Sequence, residues 1–521
     1  MPALVQAGKG RLAVRRGNVT LSGRPLSVLF DLRPAFDGLF GIPQETRLTF
    51  PLLHGLDGLD LTGLIHHPVL ALARGRGPDE PDDPVGPAQA IGVLSRLVAS
   101  ATHRSGRFGP LRDTLASALN FPWLQLQSML GTRIPLDGFD GSEFGDFLWS
   151  SLFFRTLPPA EFERCRTARY ATLWPSWRAL HATAFVPWPR RYARIDTSDY
   201  DVFLAQTPWP GTVDPRTRLV VRYHDSTPVF LPHTVKQPRL HQFCHMSALR
   251  ANAETAAFAC VSAYAQTKLL QIFPELGPRS FVVHDSIAPD YFPPSPARGA
   301  AVDIVTSRID ASSEPQLGSS DHRRAFYDAH VAPKDFRFIL MVSTLEPRKN
   351  HLGLLAAWEM LRSKSASPPA LVLVGSPGWG NKNLLRAMQK WQQKGELFHL
   401  SAVPASEMRT LYAAADAVVC PSVDEGFDLP AVEALCCGGA VAASDIPVHR
   451  EILGDAAAFF DPYSTEGMCE ALVGLLVEDT QQELRRKAVL RAANFDKSHT
   501  LRQWERVFDY CRANETPHAG E

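Results

Sequence analysis

The chain has 521 residues, 45% hydrophobic and 21% charged, with Lys plus Arg and Asp plus Glu each numbering 54. That length exceeds one ordinary core and points to two large domains, and the balanced charge excludes an overall field that would gather nucleic acid or an anionic membrane. No run approaches the roughly 20 apolar residues of a membrane span, the basic start has no apolar stretch behind it, and eight scattered cysteines without ligand spacing argue against zinc and for a reduced, cytoplasmic setting.

In chain order, short apolar runs bounded by turn residues predict strands at 25–31, 59–67, 200–206, 218–225, 258–264 and 280–286, the frame of an N-terminal α/β domain over 26–292. A region rich in Pro and Trp at 75–194 breaks the pattern and is read as an insertion of unassigned role. Residues 293–330, with Pro, Ser and Ala and little periodicity, read as an interdomain linker. Over 331–495, strands at 336–343, 370–376, 415–422, 439–444 and 456–462 alternate with helical spacing, which predicts a parallel sheet covered by helices on both faces. Residues 496–513 read as a closing helix and 514–521 as a disordered tail.

The segment PSVDEGFDLPAVEALCCG, 421–438, follows an apolar strand. Pro430 suits the first turn of a helix and Gly438 its end, so Glu425 falls in the loop and Glu433 one turn into the helix. Such a loop opens at the carboxyl edge of a parallel sheet, where the helix start presents free N–H groups to an anion. Carboxylates aimed at phosphate would repel it, so two of them there suit sugar or ribose hydroxyls. A second unit, FILMVSTLEPRKNHLGLLAAWEML, sets Arg348 and Lys349 at a helix start, where cations are disfavoured unless an anion such as a diphosphate binds between them. The same pair could equally be solvated in an exposed turn.

Together with SPGWG after 371–374, LYAAADAVVCPS before Glu425, and RYHDSTP, FACVSAYAQTKLLQIFP and VVHDSIAPDYF in the first half, the segments EGFDLPAVEALCCGGAVAASDIPVHREILGDAAAFFDP and VSTLEPRKN resemble family-four retaining (group 1) glycosyltransferases. The resemblance covers most of 218–512. It implies a GT-B fold: two Rossmann-like domains facing across a cleft, with an insertion in the first and a C-terminal helix returning toward it. It also implies a metal-independent hexosyltransferase with no cofactor beyond a nucleoside-diphosphate sugar as co-substrate, acting on a glycan or lipid-linked acceptor in polysaccharide biosynthesis. Contact with the inner face of a membrane stays open, as do the donor's base and sugar and the oligomeric state.

Residue by residue, the resemblance implies that Glu433 holds the donor ribose, Glu425 the transferred sugar, and Arg348 and Lys349 the diphosphate, with His224 against the sugar. Gly426, Phe427, Asp428, Leu429, Ser343, Gly375 and Gly41 belong to the donor side, and Gly38 of the looser match SVLFDLRPAFDGLFGIPQETRLTFPLL to the acceptor side. Two departures stand out. Asp428 replaces a frequent Gly and must turn away from the phosphates or pair with Arg348 or Lys349, and Ser343 and Thr344 replace a Gly-Arg pair. A nucleotide-sugar epimerase or phosphorylase of the same fold, or a binding protein with weak turnover, remain the alternatives. The Asp199–Asp201 pair is read as solvated rather than metal-binding, and the aromatic stretch 144–154 and the Cys436–Cys437 pair as core.

Overall fold

A computed structural model of the chain describes residues 24–38, 41–67, 122, 124–140, 145–154, 156–185, 192–293, 298–309, 314–331 and 336–514. Much of the 75–194 region, its stretch up to 121 included, lies outside them, as does 515–521 of the tail.

The N-terminal half holds β1 (Leu26–Asp31), β2 (Leu59–Ile65), β3 (Arg133–Ile134), β4 (Asp137–Asp140), β5 (Arg169–Thr172), β6 (Arg194–Ile195), β7 (Val202–Ala205), β8 (Arg218–Tyr223), β9 (Ala257–Cys260) and β10 (Ser280–Val282). Eight of these form one sheet in the order β10-β9-β8-β7-β1-β2-β5-β4, and β3 pairs with β6 apart from it. Pairing in the large sheet is parallel except that β4 runs antiparallel to β5. The C-terminal half holds β11 (Phe338–Val342), β12 (Ala370–Val374), β13 (Leu397–Leu400), β14 (Ala417–Cys420), β15 (Val441–Ser444) and β16 (Ala457–Phe460), all parallel, in the order β13-β12-β11-β14-β15-β16.

The pleat explains why β11 is apolar throughout. Ile339 and Met341 pack into one core while Phe338, Leu340 and Val342 pack into the other, so both faces are covered by helices and a polar residue would be desolvated on either side. Strand order reverses direction between β11 and β14, and a doubly wound sheet opens its crevice at that point, beyond the carboxyl ends of the strands. Both basic and acidic motifs of the C-terminal half follow these two strands. In the N-terminal sheet the reversal falls between β1 and β7, whose following loops carry Gly38, Gly41 and Gln206.

Several elements were not foreseen. β13 is a four-residue run cut by His399, whose Nε2 lies 2.8 Å from the Gly375 carbonyl; the polar residue that breaks the pattern fixes the neighbouring loop. β4 and β5 fall inside 75–194 and extend the main sheet beyond β2, so that part of this region is built into the domain. The 293–330 segment carries a helix, Arg298–Ile309, whose Ala301, Val305 and Ile309 are buried against the Ala405–Ala414 helix and β13. Those three residues recur one turn apart, a stripe obscured by the Pro and Ser around it.

The last helix, Lys497–Ala513, is capped by Asp496, which accepts from the His499 N–H at 2.7 Å. It returns to the N-terminal domain: Tyr510 meets Phe281 with ring centroids 5.3 Å apart, and Arg512 donates to the Arg24 carbonyl at 3.1 Å. Trp504, Val507 and Phe508 are fully buried. At about 1.5–3 kcal/mol for a buried apolar side chain of this size, these contacts hold the crossover firmly. Among the described residues no helix is long and apolar enough to cross a membrane.

Candidate active site

β14 ends at Cys420 and the loop to the Leu429–Cys436 helix turns at Asp428, which adopts a left-handed conformation at φ 73°. The Asp428 side chain makes no cap bond to the helix. Its Oδ2 lies 3.0 Å from Nε2 of His449, whose Nδ1 faces the Ser444 carbonyl at 2.9 Å. Asp428 therefore turns away from the crevice, pairing with neither Arg348 nor Lys349; Pro430 has no N–H and the Ala431 N–H donates to the Asp428 carbonyl at 3.1 Å, so what the uncapped side chain leaves to an anion is the Leu429 N–H and the positive dipole end of the helix.

Pro347–Lys349 form a 3-10 turn before the His351–Lys364 helix, which aims both cations at the 421–428 loop. Arg348 donates to Glu425 Oε2 at 2.5 Å, to the Asp424 carbonyl at 2.8 Å and to Glu346 at 3.2 Å, and Lys349 donates to Glu425 Oε1. The pair is thus no solvated turn: the side chains are 15% and 13% exposed, and Glu425 is 5% exposed. Burial alone would raise the Glu425 carboxyl, but the two cations overrule it and hold it down at about 2.

Glu433, eight residues on, meets the opposite environment. It accepts from Gln44 Nε2 at 2.7 Å and from the Tyr412 hydroxyl at 2.8 Å, and Tyr291 also bonds to it. These partners are neutral, so burial dominates and pushes Glu433 up to about 7. One carboxylate is held firmly ionised and the other is poised near neutrality, a division of roles made by surroundings rather than by residue type.

The N-terminal domain closes on this loop. Gly426 packs so tightly that a Cβ there would lie 1.9 Å from the His224 carbonyl oxygen, so only glycine fits. Ser262 donates to the Gly426 carbonyl at 2.6 Å, Tyr264 to Asp424 at 2.8 Å, and Glu451 accepts from the Ala263 and Tyr264 N–H groups at 2.7 and 2.9 Å. His224 follows β8 with its Nε2 3.0 Å from the Gln206 carbonyl. Nε2 therefore carries the proton and Nδ1 is free to accept. Burial and the neighbouring Arg222 push the ring down to about 3, so it is a neutral imidazole. Arg222 itself is buried between Glu45 and Asp285, at 3.0 and 2.7 Å, a pairing without which its charge could not sit inside the sheet.

The other candidates hold backbone. Gly375, at φ 155°, lies against the Ser343 carbonyl, where a Cβ would approach to 1.9 Å; Ser343 Oγ is 3.1 Å from His351 Nε2. Gly38 and Gly41, at φ 139° and 70°, shape the turn between β1 and the Ile42–His54 helix, and that helix carries Gln44 to Glu433. Phe427 and Leu429 are buried, Phe427 against His284 and Phe495, which leaves only their backbone groups for a ligand. Gln44, Tyr412, Tyr291, Asp424 and Ser262 were not anticipated. Nothing local marks them, because each acts only through a partner brought from another segment.

Asp201 is taken up by Arg24 at 2.9 Å and by the Ser27 N–H at 2.9 Å. Of the aromatic stretch, Leu148, Leu152 and Phe153 are buried and Phe153 stacks on Phe50. Cys437 is buried and Cys436 half-buried; both are free thiols.

Residues 323–494 match the family model of glycosyl transferases group 1. Over 147 residues the chain is 34% identical to O-antigen chain mannosyltransferase B of Escherichia coli, covering 28% of this chain and 39% of that protein. Over 185 residues it is 31% identical to the phosphatidyl-myo-inositol mannosyltransferase of Mycolicibacterium smegmatis, covering 34% and 46% respectively. The chain thus spans less than half the length of these curated relatives. Among solved structures, Anabaena HepE in complex with UDP superposes with a TM-score of 0.52 at 13% identity, over 93% of this chain and 100% of that one. Sucrose-phosphate synthase of Thermosynechococcus elongatus gives 0.52 at 15%, over 94% and 99%. At these identities the likeness is one of fold, two Rossmann-like domains in the GT-B arrangement.

Proposed function

We propose that the protein, whose residues 323–494 match the model of glycosyl transferases group 1 in a chain of GT-B fold, is a retaining, metal-independent hexosyltransferase. It moves a mannosyl-like or glucosyl-like residue from a nucleoside-diphosphate sugar to a glycan or lipid-linked glycan in polysaccharide biosynthesis. The observation that carries this is the pairing at the end of β14 of an ionised Glu425, gripped by Arg348 and Lys349, with a near-neutral Glu433 beside a helix start that its own N-cap side chain leaves open.

In this proposal Glu433 receives the ribose hydroxyls and Glu425 the hydroxyls of the transferred sugar. Arg348, Lys349 and the positive dipole end of the Leu429–Cys436 helix take up charge as the diphosphate departs, so electrostatic stabilisation supplies most of the acceleration. The acceptor oxygen bonds to the anomeric carbon on the face from which the phosphate oxygen leaves, and the acceptor's proton passes to that departing oxygen. His224, neutral, accepts a hydrogen bond from the sugar through Nδ1. No cofactor is assigned beyond the co-substrate.

The test is a mass-spectrometric screen of nucleotide sugars for binding, slow hydrolysis and transfer, run beside Glu433→Gln and Lys349→Ala. Turnover of one donor by the wild type, lost in both variants, with the anomeric configuration kept in the product, is the expected result. An inverted product overturns retention, conversion of the donor alone to its epimer makes the protein an epimerase, and binding without turnover makes it a binding protein.

A further inference from the structure

The crevice beside His224 opens into a cleft of about 450 Å³ between the domains, within the roughly 300–1,000 Å³ of small-molecule sites. One wall comes from the Trp177–Ala182 helix, inside the 75–194 region whose role the sequence left unassigned. Ser176 caps that helix by accepting from the Ala179 N–H at 3.2 Å, and the Trp177 N–H donates to the His67 carbonyl just past β2 at 3.0 Å. The helix is thereby fixed to the sheet. Trp177 and His181 lie one turn apart on the same face, ring centroids 4.9 Å apart and edge to face. Trp379 stands on the opposite wall, tied across the cleft by a 2.9 Å bond to the Thr234 carbonyl.

The cleft's charges are already committed. Arg33 lies over Trp177 at 4.3 Å and pairs with Asp37 at 2.6 Å; Asp225 accepts from the Thr227 N–H at 3.0 Å; Arg348 is held by Glu425 and Glu346. Four buried polar atoms on the lining residues have no partner among the described residues: His181 Nδ1, His245 Nε2, Thr207 Oγ1 and Thr227 Oγ1. All four belong to neutral groups able to donate or accept. Burial, reinforced by Arg33, pushes His181 down to about 3, and burial lowers His245 likewise, so both rings stay uncharged. Hydroxyls, each a donor and an acceptor, match this set, and leaving such atoms unpaired is costly. Of the two arginines among the described lining residues, Arg33 is paired with Asp37 and Arg348 is assigned to the donor's diphosphate, so neither is left for a carboxylate or phosphate on the acceptor.

We infer that the Trp177–His181 face, with His245, Thr207 and Thr227, forms the acceptor subsite and selects an uncharged, hydroxyl-rich sugar at the acceptor end. This assignment rests on the transferase function proposed above. It gives the 75–194 region a role: a specificity wall set against the donor crevice.

The experiment measures initial rates, with the donor that the wild type turns over, on methyl hexosides, the matching methyl uronides and glycerol phosphate. It uses wild type, His181→Ala, His181→Asn and Trp177→Phe, each checked by thermal melting. Neutral hexosides should be preferred to uronides by about tenfold or more in kcat/KM, because the site pairs hydroxyls and neither arginine among its described residues is left for the acceptor. His181→Ala should raise the acceptor KM about tenfold while moving the donor KM far less, and His181→Asn, which keeps a donor and an acceptor, should recover part of the loss. Preference for a uronide or for glycerol phosphate, or wild-type acceptor KM values in His181→Asn, His181→Ala and Trp177→Phe alike, overturns the inference alone. Should His181→Ala fail to fold, the wild-type panel and Trp177→Phe still decide. A wild type that turns over no donor defeats the transferase function, and the subsite falls with it.

Discussion

Gly426→Ala probes the closure of the cleft directly. A Cβ at this position would sit 1.9 Å from the His224 carbonyl oxygen, 2.9 Å from its carbon and 3.3 Å from Asp225 Cβ. The first two are backbone atoms immediately beyond β8, so no flexible side chain can move aside. To reach an ordinary contact of 3.4 Å the loop must retreat about 1.5 Å from the N-terminal domain. The Ser262–Gly426 bond of 2.6 Å then breaks, a net loss of about 1 kcal/mol, and the Tyr264–Asp424 bond is strained with it. A misplacement of about 1 Å can cost on the order of 100-fold in rate when reacting groups must be aligned across two bodies. Both domain cores are untouched, so the variant should fold, scatter X-rays as a more open particle and transfer sugar about 100-fold more slowly. Turnover within about threefold of wild type together with unchanged scattering would refute the view that Gly426 sets the closed geometry.

Removing the Glu425 charge with Glu425→Gln leaves the nearly buried Lys349 without its carboxylate and Arg348 with Glu346 as its one remaining carboxylate partner, and should cost about 3–5 kcal/mol in urea unfolding; a loss under about 1 kcal/mol would count against the pairing. The sign of its pH dependence follows from a carboxyl lowered from 4.5 to about 2. The stabilisation it supplies, roughly 3 kcal/mol, is present above about 4.5 and fades as pH falls through about 2, so the gap between wild type and variant should narrow over that window. Glu433 runs the other way. Raised from 4.5 to about 7, it contributes most below about 4.5 and loses that contribution as pH rises through about 7, and hydroxyls donating to it favour ionisation. Donor binding near pH 6.5 should therefore release protons, seen by calorimetry in buffers of differing ionisation enthalpy, and Glu433→Gln should abolish the release. Asp428→Gly relieves a left-handed backbone but removes the partner of His449; it should lower stability by about 1–3 kcal/mol while leaving donor affinity within about threefold, and a tenfold gain in affinity would show that the carboxylate does act on the diphosphate.

Local chemistry governs the part of this architecture that is legible along the chain. The uninterrupted apolar strands β11, β12 and β14 demand cover on both faces, Pro430 and Gly438 bound one helix, and the spacing of Glu425 and Glu433 puts one in a loop and the other a turn inside the helix. Short strands such as β13 and β5 were illegible because a polar residue placed for a tertiary bond, such as His399, erases their period. Tertiary structure alone decided how the two carboxylates differ. Their identical chemistry is divided by what the fold delivers to each, two cations from the loop after β11 to Glu425 and only the neutral Gln44, Tyr412 and Tyr291 to Glu433. It likewise decided that Gly426 must be glycine, since the atom it must avoid, the carbonyl of His224, lies some two hundred residues away in the chain and comes within reach only when the domains close.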